Sequence, residues 1–343
     1  MEMNHWERIE AAIKGDPVDR PPICLWRHWP IEDESPQTLA DAMIRWQREY
    51  DWDLVKHAPT GNYVIYDWGG RTRYIPKNSR GLGVSTVTRR AVTSVHEWAD
   101  LPQLDVTQGH LGKQLEAVRL VAEALDGSVP ILQTVFSPLN IAPKLAGEVA
   151  HSSLLGHKEI YKQGLQIIAE TMARFACESV RAGADGIIFS APHNQGLYSE
   201  EQYREFGEPY DRLILEAVRP EAKIIIGLAS GSGSNLKRVA SYPVDGINWH
   251  DRVGGPTLKE AQSLFSGLLM GGINEQQTLL NGSATAIQEE IRDAIEQTGG
   301  RRLLIASGSA PYTDTPPPHF RAARDVVDEP QYKKDVFSVL AGE

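Results

Sequence analysis

The sequence of 343 residues has only two cysteines, Cys24 and Cys177, and neither sits in a CxxC or CxxH motif. Two isolated cysteines exclude a disulfide framework and argue against a zinc site built on thiolates; they suit reduced thiols in a cytoplasmic core. The chain lacks any apolar run near the roughly 18 residues a bilayer span needs. It also lacks a basic excess: 35 Lys and Arg against 45 Asp and Glu give a net charge of −10. That balance speaks against nucleic acid and anionic lipid as partners. The N-terminus is charged and helix-like, so no secretory signal is expected. Missing too are GxSxG, P-loop, dinucleotide, HxH and HExxH patterns.

What is present is 41% hydrophobic and 23% charged sequence, the balance of a globular fold. Eight short apolar runs recur, at 22–26, 53–58, 130–136, 186–190, 223–229, 245–249, 268–273 and 303–307. Most are continuously apolar, as suits strands covered on both faces of a parallel sheet. Amphipathic stretches at 109–125 and 157–182 alternate with them. Ser199 and Gln202 form a capping box, and Gly183 stands where a left-handed helix end is expected. Eight strands alternating with helices predict an α/β fold: one (β/α)8 TIM-type barrel spanning 1–343 as a single domain. An open doubly wound sheet is the runner-up, but Arg27-His-Trp-Pro30 after the first strand contains no phosphate-turn glycine. Residues 61–95 break the rhythm with paired glycines and predict a β-hairpin insertion after strand two.

Chemistry in such barrels sits at the C-terminal strand ends. That rule selects Trp26, Arg27, His28 and Trp29, then His57, Thr60 and Asn62, then Ser137 and Asn140. It continues with Ser190, His193, Asn194 and Gln195, the serines 230, 232 and 234, and Trp249, His250, Asp251 and Arg252. Asn274 and Glu275, and Ser307, Ser309, Tyr312 and Asp314, complete the set. Four of the ten histidines (His28, His57, His193 and His250) fall at this rim. Histidine is the usual acid or base near neutral pH, which makes His57, His193 and His250 the catalytic candidates, with Asp251 able to orient a ring. Arg27 between two tryptophans suits a carboxylate or phosphate. No metal ligand is assigned.

Several segments in order carry a resemblance. They are Arg8-Ile-Glu-Ala-Ala-Ile-Lys-Gly-Asp-Pro-Val-Asp-Arg-Pro-Pro22, Leu25-Trp-Arg27, Ala182-Gly-Ala-Asp-Gly-Ile-Ile-Phe-Ser190 and Tyr203-Arg-Glu-Phe-Gly-Glu-Pro-Tyr210. Val244-Asp-Gly-Ile-Asn-Trp249, Met270-Gly-Gly-Ile-Asn274 and Asp314-Thr-Pro-Pro317 follow. Together they resemble the uroporphyrinogen decarboxylase superfamily over nearly the whole chain. The resemblance implies a (β/α)8 barrel and one of two chemistries. One branch decarboxylates a tetrapyrrole without cofactor. The other moves methyl groups between corrinoid proteins, thiols and small molecules, usually with zinc. Relatives often form dimers, so a homodimer is implied as well.

The chain departs from both branches. Ile31 stands where the decarboxylases carry a second arginine, and His57-Ala-Pro-Thr60 lacks their aspartate. Their tyrosine falls near Ala142 and Pro143, and their late histidine within Ser307-Gly-Ser-Ala310; Ser190 keeps a counterpart. Unpaired pyrrole donors would cost about 1–3 kcal/mol each. The zinc ligands of the methyltransferases fall on Leu228-Ala-Ser230 and Ser307-Gly-Ser309, so thiol-activating zinc is not expected. The leading expectation is therefore corrinoid-linked methyl transfer, with cobalamin as co-substrate, a corrinoid protein as partner and no zinc thiol site. Trp26, Arg27, His28, Asn140, Ser190, Trp249, Arg252, Asn274, Ser309 and Tyr312 would line the substrate. The alternatives are a decarboxylase of a tetrapyrrole or smaller acid, as in porphyrin biosynthesis, and a barrel that binds without catalysis.

Overall fold

The computed structural model describes residues 2–74, 81, 83–192, 196–229 and 235–332. The strands are β1 (Val55–His57), β2 (Arg71–Arg73), β3 (Thr86–Arg89), β4 (Ile131–Phe136), β5 (Gly186–Ala191), β6 (Ile224–Ala229), β7 (Gly246–Asn248), β8 (Leu268–Ile273) and β9 (Leu303–Ser307). Seven of them form one parallel sheet in the order β1-β4-β5-β6-β7-β8-β9. Every neighbouring pair in that order is parallel; β2 and β3 lie in the β1–β4 connection, and helices lie in every connection. β2 and β3 pair antiparallel as a separate two-stranded sheet, with an irregular register between Arg71 and Thr72.

Seven of the eight expected strands therefore appear, at or within a few residues of their expected positions. The expected strand at 22–26 appears only as an isolated parallel bridge, Ile23 to Ile305. Around that bridge the amide of Ile305 donates to Pro22, Cys24 donates to Ile305 at 2.9 Å, and Asp53 donates to Ile23 at 2.9 Å. The ladder is short because Pro21 and Pro22 have no amide hydrogen to give.

Four apolar clusters follow from side-chain alternation. One fills the inside of the curled sheet with Cys24, Trp26, Ala58, Leu132, Ile188, Ile226, Leu228, Met270 and Leu304. Ile9 and Ala12 join it from helix His5–Lys14. That helix begins at a capping box of Asn4 and Glu7 and ends on Gly15 in the left-handed region at φ 79°. The other three clusters lie between the sheet and its helices. Helices Gly109–Leu125 and Lys158–Arg181 occupy the two expected amphipathic stretches. The Ser199 capping box forms, with Gln202 reaching back to the Ser199 amide at 2.9 Å. Among the described residues no helix is long and apolar enough to cross a membrane.

Candidate active site at the strand ends

Strand parity decides which rim residues face inward. Lys56 pairs with Leu132, an inward residue, so Lys56 shares the inner face. Val55 and His57 face the opposite way, against the helices. His57 is fully buried there, 3.1 Å from Gln114 of helix Gly109–Leu125. Burial pushes its pKa down to about 4, and its Nδ1 has no hydrogen-bond partner among the described residues. His57 is thus a neutral ring in the layer between sheet and helix.

β7, β8 and β9 end in a connected group. His250 Nδ1 lies 3.2 Å from Glu275 Oε1, and Ser309 Oγ donates to the same oxygen at 3.0 Å. The Glu275 side chain is 1% exposed and that of His250 is 10% exposed. Burial alone would raise the Glu275 pKa, but the hydrogen bond and charge of His250 outweigh it and hold the carboxylate below its usual range. Ser307 supports the turn by donating to the Ser309 carbonyl at 2.7 Å. When the ring is neutral, an Nδ1–H bound to Glu275 leaves His250 Nε2 as the lone-pair nitrogen. An Nε2 of that kind can take a proton from a bound group.

Asp251 and Arg252, next in sequence, turn the other way. Asp251 accepts the Gly272 amide at 3.0 Å, and burial pushes its pKa up to about 6. Arg252 donates to the Gly272 and Glu290 carbonyls and pairs with Asp293, which ties it to helix Ala284–Thr298. Trp249 is fully buried in the outer cluster and donates to Pro256 at 2.7 Å. Asn274 accepts the amides of Gln276 and Gln277, both at 3.0 Å, and so shapes the turn after β8.

On the opposite side, Trp26 faces inward beneath the Lys56 ammonium, 4.0 Å from its ring centroid. His28 lies beside the Ala58 carbonyl at 3.4 Å. Its pKa is pushed down to about 4 by burial and by the charges of Lys56 and Lys144. Arg27 stacks on Trp29 at 4.9 Å, its Nε buried without a partner among the described residues, and burial lowers its pKa. Asn140 donates to the Ser190 carbonyl at 2.9 Å and approaches its hydroxyl at 3.4 Å, joining the ends of β4 and β5. The Tyr312 ring packs beneath Gly81, whose carbonyl accepts the Thr313 hydroxyl at 2.8 Å. His193, Asn194, Gln195 and the serines 230, 232 and 234 lie outside the described residues.

The structure thus brings together His250 and Ser309 through Glu275, and sets Trp26 against Lys56. It sends His57, Trp249, Asp251 and Arg252 into the outer layers. Lys56 is the residue that selection at strand ends passes over. Its signal was available in parity, because it sits one residue from His57 and must face the other way.

A family model described as uroporphyrinogen decarboxylase (URO-D) matches residues 70–330. Among curated proteins, the methylcobamide:CoM methyltransferase MtbA of Methanosarcina acetivorans is 22% identical over 330 residues, covering 90% of this chain and 93% of its own. The methylcobamide:CoM methyltransferase MtaA of Methanosarcina barkeri is 24% identical, covering 89% of this chain and 93% of its own. A uroporphyrinogen decarboxylase of Chlorobium luteolum is 24% identical over 242 residues, covering 66% of this chain and 67% of its own. Among solved structures, a methyltransferase from Methanosarcina mazei superposes with TM-score 0.82 at 21% identity, covering 96% of this chain and 99% of that one.

Proposed function

From the premise that the chain belongs to the uroporphyrinogen decarboxylase family, we propose that this enzyme transfers a methyl group from a corrinoid to a small acceptor at the sheet's C-terminal rim. The methyltransferase relatives align over about nine-tenths of both chains, the decarboxylase over about two-thirds. We read the Ile23–Ile305 bridge as the eighth position of a barrel, the whole chain as one domain, and β2–β3 as part of an insertion beside its mouth.

The observation that carries the reading is the His250–Glu275 pair. An acceptor X–H becomes a competent nucleophile when a positioned base removes its proton. The X–H proton passes to His250 Nε2. The freed electron pair bonds to the methyl carbon, and the donor keeps the pair of the bond that breaks. Glu275 holds the ring's orientation and balances the charge it gains. The corrinoid is a co-substrate in this scheme, delivered by a partner protein.

A thiol-activating zinc does not fit the donors. Serines stand at 307 and 309 at the end of β9. Cys24 lies inside the sheet with its thiol pushed up to about 12 by burial, and Cys177 lies on the outer helix Lys158–Arg181. The transfer is therefore written without a metal, with base and positioning supplying the rate.

The test is anaerobic incubation with methylcobalamin and a panel of thiol, amine and hydroxyl acceptors, followed by the corrinoid spectrum. Acceptor-dependent demethylation is the expected result. Conversion of uroporphyrinogen III to coproporphyrinogen III without any demethylation would overturn the reading in favour of decarboxylation.

A further inference from the structure

The connections after β5 and β6 form a cleft that methyl transfer does not use. It lies between helix Glu200–Phe206 and helix Leu236–Ala240 and has a volume of about 430 Å³. Small-molecule sites run from roughly 300 to 1,000 Å³. The cleft shares no residue with the His250–Glu275 group.

Charged side chains of both signs line it, and their pairing leaves an excess of positive charge. Glu200 is held by Arg238 at 2.5 Å and by Asn235 at 2.8 Å. Glu208 is held from outside the cleft by Arg212 at 2.9 Å. Arg204 and Lys237 are exposed and have no carboxylate partner among the described residues, although Glu200 and Glu208 stand one helical turn to either side of Arg204. The two acids are thus neutralised and two cations are not, in a protein of net charge −10. Arg238 forms a fixed wall. Its guanidinium lies 3.8 Å from the Tyr203 ring centroid, and its side chain is 9% exposed. Its Nε and Nη1 are buried without a partner among the described residues. Unsatisfied buried donors are costly, and a stack of this kind fixes the plane of a fork suited to phosphate oxygens.

We propose that this cleft binds a phosphate monoester with a hydroxyl-rich body, its phosphate held by Arg204 and Lys237 against Arg238. Two uncommitted cations match a dianion better than they match one carboxylate. The Glu200 side chain is 66% exposed, so its pair with Arg238 is weak, and an arriving phosphate can take the Nη2 edge it occupies. The cleft is larger than a bare phosphate fills. Its remaining lining of Asn235, Ser241 and Glu208 is polar and offers donors and acceptors to hydroxyl groups.

The test is isothermal titration calorimetry on the full chain at low ionic strength, with ribose 5-phosphate, inorganic phosphate and ribose as probes. Ribose 5-phosphate should bind, inorganic phosphate should bind at least about ten-fold more weakly, and ribose should not bind. Arg204→Ala and Lys237→Ala should each weaken ribose 5-phosphate about ten-fold with an unchanged circular dichroism spectrum, because both positions are exposed. Added salt should weaken it further. Glu200→Gln should tighten binding, because it removes the internal carboxylate that competes for Arg238. Unchanged affinity in the Arg204→Ala, Lys237→Ala double variant would overturn the site, and so would the absence of binding by both phosphates. Equal affinities for ribose 5-phosphate and inorganic phosphate would overturn the monoester assignment. No corrinoid or methyl acceptor enters the assay, so loss of the methyl-transfer reading leaves this one intact.

Discussion

His250 and Glu275 come from the ends of adjacent strands and meet at 3.2 Å, Nδ1 to Oε1, with Ser309 from the third strand on the same oxygen. Adjacent parallel strands place their terminal residues side by side, so a ring and a carboxylate from β7 and β8 can pair without a long loop. The carboxylate is almost fully enclosed, which makes the interaction strong and its loss costly.

Replacing His250 with Gln should lower kcat by about 10²–10⁴-fold if the ring is the base. Added imidazole should restore part of the loss, a response that a purely structural role would not give. Glu275→Gln should lower kcat with little change in KM, because it removes the group that orients the ring and leaves the acceptor's contacts in place. Steady-state kinetics with and without imidazole check both.

Prolonged dialysis against 1,10-phenanthroline should leave methyl transfer unchanged, because Ser307 and Ser309 occupy the end of β9 where a thiolate would be needed. Loss of activity on chelation, restored by added zinc, would count against the metal-free scheme.

The strands of the parallel sheet were legible because burial on both faces leaves them continuously apolar. β8 and β9 match their expected limits. The strand at 22–26 was over-read: hydrophobicity does not register that two prolines cannot donate to a ladder. The site was legible in outline and not in direction. Proximity to a strand end puts His57 and His250 in one class, but alternation sends His57 under a helix. Asp251 and Arg252 were equally plausible from composition. Their partners Gly272, Glu290 and Asp293 are contributed by segments about 20 to 40 residues away, which local pattern cannot supply.

The N-terminal end of the sheet makes a separate prediction. Asp53, fully buried, accepts from Arg8, from Arg20 at 2.7 Å and from His5 at 2.9 Å. Burial alone would lower the His5 pKa, but hydrogen bonds to Asp51 and Asp53 and their charges push it up to about 9. The folded pKa lies above the unfolded value, so the His5 contribution is fully present below about pH 6.5 and is lost as pH rises through 9. The stability difference between wild type and His5→Gln, measured by urea unfolding, should be constant at pH 5–6 and shrink steadily toward pH 9. A difference that persists unchanged to pH 10 would contradict this account.

Lys56 should show the opposite sign. Its folded pKa, about 7, lies below the ordinary value of 10.5. The unfolded chain therefore binds more protons between those limits, and the contribution of this residue to stability rises with pH across the window. Lys56→Met should remove that dependence. It should stabilise the protein below pH 7 by something on the order of a few kcal/mol, because the cost of the buried ammonium disappears. Urea unfolding at pH 6 and pH 10 checks the sign: the advantage of Lys56→Met should be large at the first and nearly gone at the second.

Gly308 tests whether the position of His250, beyond its chemistry, matters. A Cβ on Gly308 would lie 2.6 Å from His250 Cα and 2.7 Å from its Nδ1. Neither distance is tolerable, and the Cα is backbone, so the β7 end and the ring must shift relative to Glu275. Gly308→Ala adds no charge and removes no hydrogen-bonding side chain, so any loss traces to displacement. A misplacement near 1 Å costs about 10²-fold in rate when the reacting geometry is set by the protein. Activity should fall by about that factor while the unfolding midpoint drops modestly. Combining Gly308→Ala with Glu275→Gln should cost less than the sum of the two, since both act by freeing the same ring. Strict additivity would mean that Gly308 shapes the mouth through another contact and that the His250–Glu275 distance is not what the turn after β9 protects.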